Sequence, residues 1–537
     1  MHLTRTQPNT PPAPAEDPEA RPGKSNKIFL PPAIAARYVA PGSAGIEEQL
    51  RRVAAALATQ GPGSAPTSLD PELLFRAMIS GAFLPAGRTI RYAPEGRVPP
   101  SCCVLSIGQD TLGEDVGAML TVYRATTGFG CDFSGLPPAG SDYTSPAGVR
   151  MKAAGPAATL RSVAQLLHAT STFADGREHG NAAVLDAGHP DALAFLGFKD
   201  APGPEAALFC LDVAMRDDFL RRASEGDPEA RRIFDAVVDS IWRTGEPAVV
   251  FPDVAAAHFR RTWRRLGDKE TRWAEACPVP CGEQWLLPGE TCNLGAINLA
   301  LFCGGGKADL AALRETARLA AEALAAARRL TAFPIDQMAQ KARELRRVGL
   351  GVMGWANMLA ELGLGYGSAE SCALARAVMT ALREGAAEVA EREGFVTSLC
   401  LQPTGGISRL AAALAGHSAP SGPSPLGTGI EPFFGEALAV PPRDQVEMMA
   451  CFQAEADQSV SKTINLPAAA SREEVAGLIW RAHELGCHGL TMFRDGCRGS
   501  QPVELGSSVP VRPGAVCAEC VGGACPLDEA KPLAAAR

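Results

Sequence analysis

Residues 276–300 read ACPVPCGEQWLLPGETCNLGAINLA, a stretch that places Cys277, Cys281 and Cys292 within sixteen positions. Glu283 follows Cys281 by two positions, and no histidine lies among them. Because proline and glycine flank Cys281, helix and strand are both weak there, and the sequence predicts a loop with the thiol at its tip. A thiol beside a carboxylate suits redox or radical chemistry coupled to proton transfer.

Other interpretations of these cysteines start from their spacing and neighbours. A structural zinc site takes four Cys or His ligands, often paired as C-x-x-C, and the C-x-x-x-C spacing here is a poor match. A nucleophilic thiolate needs a cationic or histidine neighbour to lower its pKa, and the nearest histidine in sequence is His258. For each cysteine taken singly, a small buried apolar side chain is the simplest interpretation.

The composition is that of a globular protein with ample core material. The chain has 537 residues, of which 46% are hydrophobic and 20% charged, and its formal net charge is −8. A net negative charge gives no electrostatic footprint for nucleic acid or an anionic membrane, and we predict binding to neither. Small anionic ligands are compatible with it, since local backbone N–H groups bind them.

No targeting segment is visible in the sequence. No apolar run reaches the ~18–20 residues of a membrane helix, and the Pro-rich, polar residues 1–28 lack the apolar core of a signal peptide. We predict that residues 1–28 are a disordered tail and that the protein is cytoplasmic. The 16 cysteines should then be buried, catalytic or metal-bound rather than paired in disulfides.

The rest of the chain divides by its hydrophobic pattern. Residues 29–100 read as a helical N-terminal region. Residues 101–498 alternate short apolar runs, such as AVLDA and LFCLDVAM, with long Ala/Leu/Arg stretches, the pattern of an α/β fold with a largely parallel sheet or barrel. The polar pattern of residues 499–537 predicts a flexible linker and a C-terminal tail that contains Cys517, Cys520 and Cys525.

Segments along residues 80–498 resemble one family in their order. They are FLPAGRTI, CCVLSIG, GFGCDFSGLPPAG, GHPDALAFLGFK, TGEPAVVFPD, PCGEQWLLPGETCNLGAINLA, RRVGLGVMGWANML, QPTGGIS, GTGIEPFF, SVSKTINLP and ELGCHGLTMFRDGCR. In these segments the chain resembles the adenosylcobalamin-dependent, or class II, ribonucleotide reductases. The resemblance implies a ten-stranded α/β barrel with a central finger loop, preceded by the small helical region.

The resemblance also implies a thiyl-radical mechanism. Cys281 would become the radical that takes the 3′ hydrogen of a ribonucleotide, and Glu283 would act as base on the 3′ hydroxyl. Cys292, eleven positions after Cys281, would form a disulfide with a cysteine of the SCCVL pair as the 2′ hydroxyl leaves as water. Cys102 is the first choice for that partner, and Cys103 fits as an alternative.

Substrate contacts follow from the same resemblance. It assigns them to Ser101, Gly128, Gly130, Val279, Pro403, Thr404, Gly405, Gly406 and Ile407. Independently of it, QPTGGIS offers glycines just before a helical run, and a helix N-terminus of this kind presents several backbone N–H groups to an anion. An ordinary helix entry is the alternative for that segment.

The resemblance implies a cofactor and several partners. They are adenosylcobalamin, a ribonucleotide substrate (expected to be a diphosphate), a deoxynucleotide or ATP effector, a thioredoxin-like reductant and a second copy of the chain. Cys517 and Cys520, with Cys525, would relay electrons to the buried disulfide by thiol exchange, or else form a small zinc knuckle. The last tyrosine is Tyr366, so the tyrosine pair of class I enzymes is missing from this sequence.

Several positions depart from the family pattern. Val279 replaces an asparagine, Glu178 and His179 replace basic character, Cys210 and Asp212 replace Asn and Ser, Gly406 replaces a threonine, and Gly87 replaces a hydroxyl residue. Losing a polar group that acts in the transition state costs roughly 10²–10³ in rate at preorganised sites. Two hypotheses therefore stand, a working reductase and a reductase-like protein that binds nucleotides or partners without turnover.

Overall fold

The computed structural model describes residues 30, 32–59, 69–170, 180–200, 204–263, 275–415, 426–432 and 439–498. The predicted tails, the altered loop with Glu178 and His179, and the tail cysteines Cys517, Cys520 and Cys525 lie outside these residues. None of the described helices is long and apolar enough to cross a membrane.

The described helices and strands alternate along most of the chain. The helices are α1 (Pro32–Tyr38), α2 (Ile46–Thr59), α3 (Pro71–Ile79), α4 (Gly87–Tyr92), α5 (Leu112–Arg124), α6 (Pro156–Thr170), α7 (Ala192–Leu196), α8 (Asp217–Glu225), α9 (Pro228–Thr244), α10 (Pro252–Thr262), α11 (Leu310–Arg329), α12 (Asp336–Glu344), α13 (Trp355–Leu362), α14 (Ala369–Glu393), α15 (Gly405–Leu414), α16 (Pro442–Gln453) and α17 (Arg472–Glu484). The strands are β1 (Phe83–Pro85), β2 (Cys102–Leu105), β3 (Gly128–Asp132), β4 (Asp142–Thr144), β5 (Arg150–Lys152), β6 (Asn181–Asp186), β7 (Phe209–Ala214), β8 (Ala248–Val250), β9 (Cys277–Pro278), β10 (Trp285–Leu286), β11 (Thr291–Cys292), β12 (Leu294–Asn298), β13 (Cys303–Gly304), β14 (Lys307–Ala308), β15 (Arg347–Met353), β16 (Thr397–Leu399), β17 (Thr463–Leu466) and β18 (Gly489–Arg494).

Ten strands of the described chain close into a barrel made of two halves. One half is the parallel series β2-β3-β6-β7-β8. The other half has the strand order β18-β17-β16-β15-β12, and its paired strands are parallel. Strand β12 follows β11 in the chain with only Asn293 between them. The halves meet through the antiparallel pairs β8–β18 and β11–β2. The predicted ten-stranded α/β barrel is confirmed.

The join between β16 and β17 lies just outside both strands. Leu401 and Val460 form a parallel bridge there, with the Leu401 N–H donating to the Ser459 carbonyl (3.1 Å) and the Ser461 N–H donating to the Leu401 carbonyl (2.8 Å). This bridge brings the segment after β16, which holds Pro403 and Thr404, beside the segment before β17. Two sequence blocks that are far apart in the chain therefore face one another.

The barrel strands are buried on both faces, which explains their almost continuous apolar sequences. Each residue of β15, RVGLGVM, is buried, as is each residue of β12, LGAIN. The long helices α11 and α14 match the predicted Ala/Leu/Arg stretches and cover the outside of this half. The runs AVLDA and LFCLDVAM form β6 and β7, as predicted.

Two features differ from the expectation. The N-terminal region is helical except for β1, whose residues Phe83–Pro85 pair antiparallel with β12 because an open strand edge is available there. Cys372 on α14 and Cys451 on α16 form a disulfide with a Cα–Cα distance of 5.6 Å. The expectation of no disulfides was wrong here, because tertiary packing of two helices joins cysteines that are 79 residues apart.

Candidate active site

The segment after α10 forms a hairpin inside the barrel, which we call the finger loop (residues 277–286). Strands β9 and β10 pair antiparallel, with Trp285 opposite Pro278. At the tip the Gly282 N–H donates to the Val279 carbonyl (2.8 Å), which closes a turn over Pro280 and Cys281. Proline at the second position of a β-turn and glycine at the fourth are favoured, and Gly282 adopts a positive φ of 75°. The predicted loop tip is confirmed.

Glycines on β3 allow the finger loop to pass through the barrel. A Cβ on Gly130 would lie 2.0 Å from the carbonyl oxygen of Pro278, so the backbone of the finger loop packs directly on β3. A Cβ on Gly128 would lie 2.3 Å from the carbonyl oxygen of Gly180. Both glycines were expected to contact substrate, and their observed environment is close backbone packing.

The base of the finger loop is fixed by a buried ion pair. Arg347 on β15 donates from Nε to Glu290 Oε1 (2.7 Å), and both side chains are at most 1% exposed. The other oxygen, Oε2, accepts the Leu287 N–H (2.6 Å), while the Arg347 guanidinium lies 3.7 Å from the centre of the Trp263 ring. The pair thus joins the return of the finger loop to the second half of the barrel.

We expect Arg347→Met to lower the free energy of unfolding by about 3–5 kcal/mol, because it leaves the Glu290 carboxylate buried without its partner. The measurement is urea unfolding of the full chain, followed by intrinsic fluorescence. The double variant Arg347→Met/Glu290→Gln is the control, since it removes both charges and should recover part of the loss. A single variant as stable as the unchanged protein would contradict this role.

Cys102 and Cys292 are direct neighbours on paired strands. They are register partners in the antiparallel β11–β2 pair, so their side chains are on the same face of the sheet. Burial raises the pKa of Cys292 well above its usual value, and the carboxylate of Glu283 raises it further. The pKa of Cys102 is raised by the same two causes. Both thiols are therefore neutral at pH 7, and each is in the electrostatic field of the Glu283 carboxylate.

Cys103 points to the opposite side of β2. It is fully buried in an apolar cluster with Phe129 and Cys131, between the strands and the outer helices, and its thiol donates to the Gly128 carbonyl at 3.7 Å. Burial raises its pKa well above the usual value. The alternation of side chains along a strand thus places two adjacent cysteines, the first choice Cys102 and the alternative Cys103, on opposite faces of β2.

A cavity beside Cys281 joins the tip of the finger loop to both segments brought together at the β16–β17 join. It is lined by Pro280, Cys281, Pro403, Thr428, Gly429, Ile430, Glu431, Ser461, Lys462, Thr463 and Thr491. The hydroxyl groups of its threonines and serine, and its backbone groups, suit a polar nucleoside. Two of the lining residues, Glu431 in the block GTGIEPFF and Lys462 in the block SVSKTINLP, were not singled out from the sequence. A charged residue within a largely apolar segment is a sign of a functional or paired site, because charged side chains are rarely buried alone.

Residues 403–407 form the turn and first residues of α15. Thr404 is one of the non-glycine residues with a positive φ (57°), and its hydroxyl accepts the Gly429 N–H (2.6 Å) rather than capping α15. Gly405 and Gly406 are the first residues of α15, so their N–H groups have no acceptor within the helix. Ile407 is buried in the core. Pro403 is the member of this group that lines the cavity.

Val279 and Ser101 were also expected to contact the substrate. The Val279 side chain is fully buried in the apolar cluster inside the barrel, with Val184, Val250 and Trp285. It is not among the residues that line the cavity beside Cys281 within the described chain. Ser101 is half-buried at the start of β2 and donates its N–H to the Cys292 carbonyl (3.4 Å).

Comparisons with known proteins agree with this architecture. Residues 221–394 and 415–493 match the family described as "Ribonucleotide reductase, barrel domain". The chain belongs to the ribonucleotide reductase family. It is 28% identical over 504 residues to a vitamin B12-dependent ribonucleoside-diphosphate reductase of Thermoplasma acidophilum, covering 77% of this chain and 63% of that protein. It is 29% identical to the protein of the same name from Mycobacterium tuberculosis, covering 76% of this chain and 68% of that one.

A solved structure of the family shares the fold. The class Id ribonucleotide reductase alpha subunit of Actinobacillus ureae superposes with a TM-score of 0.70 at 17% identity, over 86% of this chain and 95% of that one. This likeness supports the barrel architecture alone. The chain spans roughly two thirds of the length of the curated relatives named above.

Tyr38 explains two departures from the family pattern. A Cβ on Gly406 would lie 2.6 Å from the Tyr38 hydroxyl oxygen, and a Cβ on Gly87 would lie 2.9 Å from Tyr38 Cε1. The Tyr38 side chain is 1% exposed and fills the space between α4 and α15. The Tyr38 ring from α1 thus occupies the space that side chains at positions 87 and 406 would otherwise fill. Tyr38 was not singled out from the sequence.

We expect Gly406→Thr, which restores the usual family residue, to destabilise the protein by about 1–3 kcal/mol, because it overpacks the site against Tyr38. Thermal unfolding monitored by circular dichroism measures the effect. Adding Tyr38→Ala to Gly406→Thr should relieve the overlap and recover part of the stability, whereas Tyr38→Ala alone should leave a cavity and destabilise. An unchanged melting temperature for Gly406→Thr would show that the ring can move aside.

Proposed function

We propose that this protein reduces ribonucleotides, as diphosphates, to 2′-deoxyribonucleotides with a thiyl radical at Cys281 and adenosylcobalamin as the cofactor. The observation that carries the proposal is the tip of the finger loop. It presents Cys281 to the cavity that the finger loop shares with the segments on both sides of the β16–β17 join, while the Glu283 carboxylate acts electrostatically on the paired thiols Cys102 and Cys292. The names of the relatives, which specify vitamin B12 and ribonucleoside diphosphates, support the cofactor and the substrate.

The proposed reaction assigns one task to each group. Cys281 takes the 3′ hydrogen atom of the ribose and later returns it, and Glu283 accepts the proton of the 3′ hydroxyl. The 2′ hydroxyl leaves as water with a proton from one of the thiols Cys102 and Cys292, and the hydrogen of the other thiol is added to C2′. The two thiols together supply two electrons and finish as a disulfide, and Glu283 returns its proton to the 3′ oxygen. The neutral state of the two thiols at pH 7 suits this task, since a thiolate has no proton to give.

Cys102 is proposed as the disulfide partner of Cys292, in preference to Cys103. Cys102 is the register partner of Cys292, and Cys103 is on the opposite face of β2. A disulfide requires Cα atoms about 4.4–6.8 Å apart and side chains that point toward one another, and directly opposed residues on antiparallel strands can meet this requirement.

The residues around Cys281 fit a nucleoside group. The hydroxyl-bearing residues Thr428, Ser461, Thr463 and Thr491 line the cavity. When bound, adenosylcobalamin would supply the radical that removes the hydrogen atom from the Cys281 thiol. Within the described part of the barrel, Tyr366 donates its hydroxyl to the Ile430 carbonyl (2.6 Å), and Phe493 occupies β18 without a phenol. Phe493, together with the absence from the sequence of the tyrosine pair of class I enzymes, favours radical formation beside Cys281 over a tyrosine relay.

The phosphates are proposed to bind at the start of α15, where Gly405 and Gly406 present N–H groups beside Pro403. The further partners are proposed by resemblance to the family: an effector nucleotide, a thioredoxin-like reductant that acts through Cys517, Cys520 and Cys525, and a second copy of the chain. The hypothesis of a binding protein without turnover has less support, because Cys281, Glu283, Cys102 and Cys292 are all retained and assembled.

The test is anaerobic turnover of purified protein with adenosylcobalamin, a dithiol and each ribonucleoside diphosphate or triphosphate, with deoxynucleotide measured by mass spectrometry. Cofactor-dependent deoxynucleotide from a diphosphate is the expected result. Nucleotide binding without any product would favour the alternative of a protein that binds without turnover. Product from triphosphates alone would change the proposed substrate and leave the reaction in place.

A further inference from the structure

An ion pair between the buried Lys462 and the partly buried Glu431 forms one wall of the cavity beside Cys281. The Lys462 side chain is 0% exposed and its ammonium group lies 2.5 Å from Glu431 Oε2. The same group donates to the Thr463 carbonyl (3.0 Å) and lies 3.4 Å from Gln445 Oε1. Glu431 Oε1 accepts the Thr463 N–H (2.8 Å). Both side chains of the pair therefore also bond to neighbouring protein groups, which fix the pair in the cavity wall.

Glu431 ends a short segment, residues 427–431, which we call the cavity loop. It is held at each end and in the middle by hydrogen bonds to neighbouring elements. The Gly427 N–H donates to Asn357 Oδ1 (2.8 Å), and the Ile430 carbonyl accepts the Tyr366 hydroxyl (2.6 Å). The ion pair with Lys462 then fixes the loop to the segment before β17. These contacts connect the cavity loop to three separate parts of the barrel: Asn357 on α13, Tyr366, and Lys462 before β17.

The cavity loop in turn holds the turn before α15. The Gly429 N–H donates to Thr404 Oγ1 at 2.6 Å, and Thr404 has the positive φ of 57°. A non-glycine residue in this conformation is strained and persists only where its surroundings fix it. The contact with Gly429 is a specific hydrogen bond to this residue from outside its own helix. The position of the cavity loop therefore affects the geometry of the first turn of α15.

These contacts form a continuous path from Lys462 through Glu431 and Gly429 to Thr404. We propose that the Lys462–Glu431 ion pair is a positioning pair that sets the phosphate-binding geometry at α15 and the wall beside Cys281. This inference rests on the proposed function for its ligand class, a ribonucleoside diphosphate. The pair acts through the cavity loop and does not itself need to touch the phosphates. A buried ion pair suits such a role, since its directional contacts fix one arrangement where apolar packing allows several.

The experiment compares the full-length protein with Lys462→Met, Glu431→Gln and the double variant. Calorimetric titration with the four ribonucleoside diphosphates, and with the matching nucleosides, measures binding without cofactor or turnover. Each single variant should lose stability because one buried polar partner remains. In the double variant stability should recover, while diphosphate binding should stay about 10-fold weaker, or 1.4 kcal/mol, than in the unchanged protein. Nucleoside binding should change much less.

Two controls separate positioning from general stability. Glu322→Gln removes the carboxylate that pairs with Arg392 (2.6 Å) on the outer helices α11 and α14, and should leave diphosphate affinity unchanged. Thr404→Ala keeps the ion pair and removes the hydroxyl that accepts the Gly429 N–H, and should weaken diphosphate binding as the double variant does. Thr404→Ala keeps the proposal testable if the double variant does not fold.

A stable double variant, or Thr404→Ala, that binds diphosphates as tightly as the unchanged protein overturns the proposal. An equal loss for nucleosides and diphosphates also overturns it, because the effect would then not act on the phosphates. Protein that binds diphosphates but yields no deoxynucleotide would remove the reductase function and leave the positioning role standing. Protein that binds none of the four diphosphates overturns both.

Discussion

Replacing Cys281 by alanine is expected to abolish deoxynucleotide formation, with a loss of roughly 10⁵-fold or more, the scale seen when a reacting group itself is removed. Among the described cysteines, Cys281 is the one that lines the cavity at the tip of the finger loop. The proposed radical has no substitute there, since Cys102 and Cys292, which do not line this cavity, are proposed to supply electrons to the substrate. The measurement is anaerobic turnover with product detected by mass spectrometry.

The matched control is Cys277→Ala, four positions earlier on the same hairpin. Cys277 is 3% exposed and packs in the apolar cluster around the finger loop, with its thiol directed to the Pro278 carbonyl. This variant should lose some stability and retain turnover. Diphosphate binding should survive in Cys281→Ala, because the cavity loop and α15 are unchanged. Product from Cys281→Ala at a rate near that of the unchanged protein would refute the radical role.

The second large effect concerns the adjacent cysteines on β2. Cys102→Ser should reduce multiple turnover with a dithiol by roughly 10²-fold or more, because Cys292 loses its partner and the substrate loses a donor of protons and electrons. Cys103→Ala should turn over at close to the unchanged rate, since Cys103 lies in the outer apolar cluster. Alkylation and peptide mapping after one turnover should locate the disulfide at Cys102–Cys292.

The outcome that would contradict this pairing is equally specific. A Cys103–Cys292 disulfide after turnover, or loss of activity in Cys103→Ala with normal stability, would show that β2 changes its register or rotates during the reaction. Cys103→Ala also tests burial, because removing a fully buried thiol from this cluster should lower the melting temperature without affecting the chemistry.

The sequence was informative wherever chemistry depends on local spacing. The Pro-Cys-Gly string predicted a loop tip for Cys281, and the structure closes a β-turn there. The apolar runs predicted β6 and β7, and the Ala/Leu/Arg stretches predicted α11 and α14. The ordered family segments predicted the barrel itself, which neither composition nor periodicity could have specified.

Other properties depended on contacts between distant segments. The environment of Gly130 is set by the finger loop, about 150 residues later, and that of Gly406 by Tyr38, more than 360 residues earlier. The disulfide between Cys372 and Cys451 likewise required α14 and α16 to lie side by side. Such contacts leave no periodic signal in the sequence, because the two residues of each contact are far apart in the chain and neither one identifies its partner.

By itself, the sequence determined that Cys281 is displayed on a turn, that Glu283 and Cys292 follow at fixed spacings, and that the barrel strands are largely apolar. Local backbone preferences and the pattern of apolar residues are properties of short segments. The tertiary structure alone decided which cysteine of the adjacent pair faces Cys292, because that choice depends on the register of β2 against β11. It also decided that Lys462 and Glu431 meet beside Cys281, because only closure of the barrel brings their segments together.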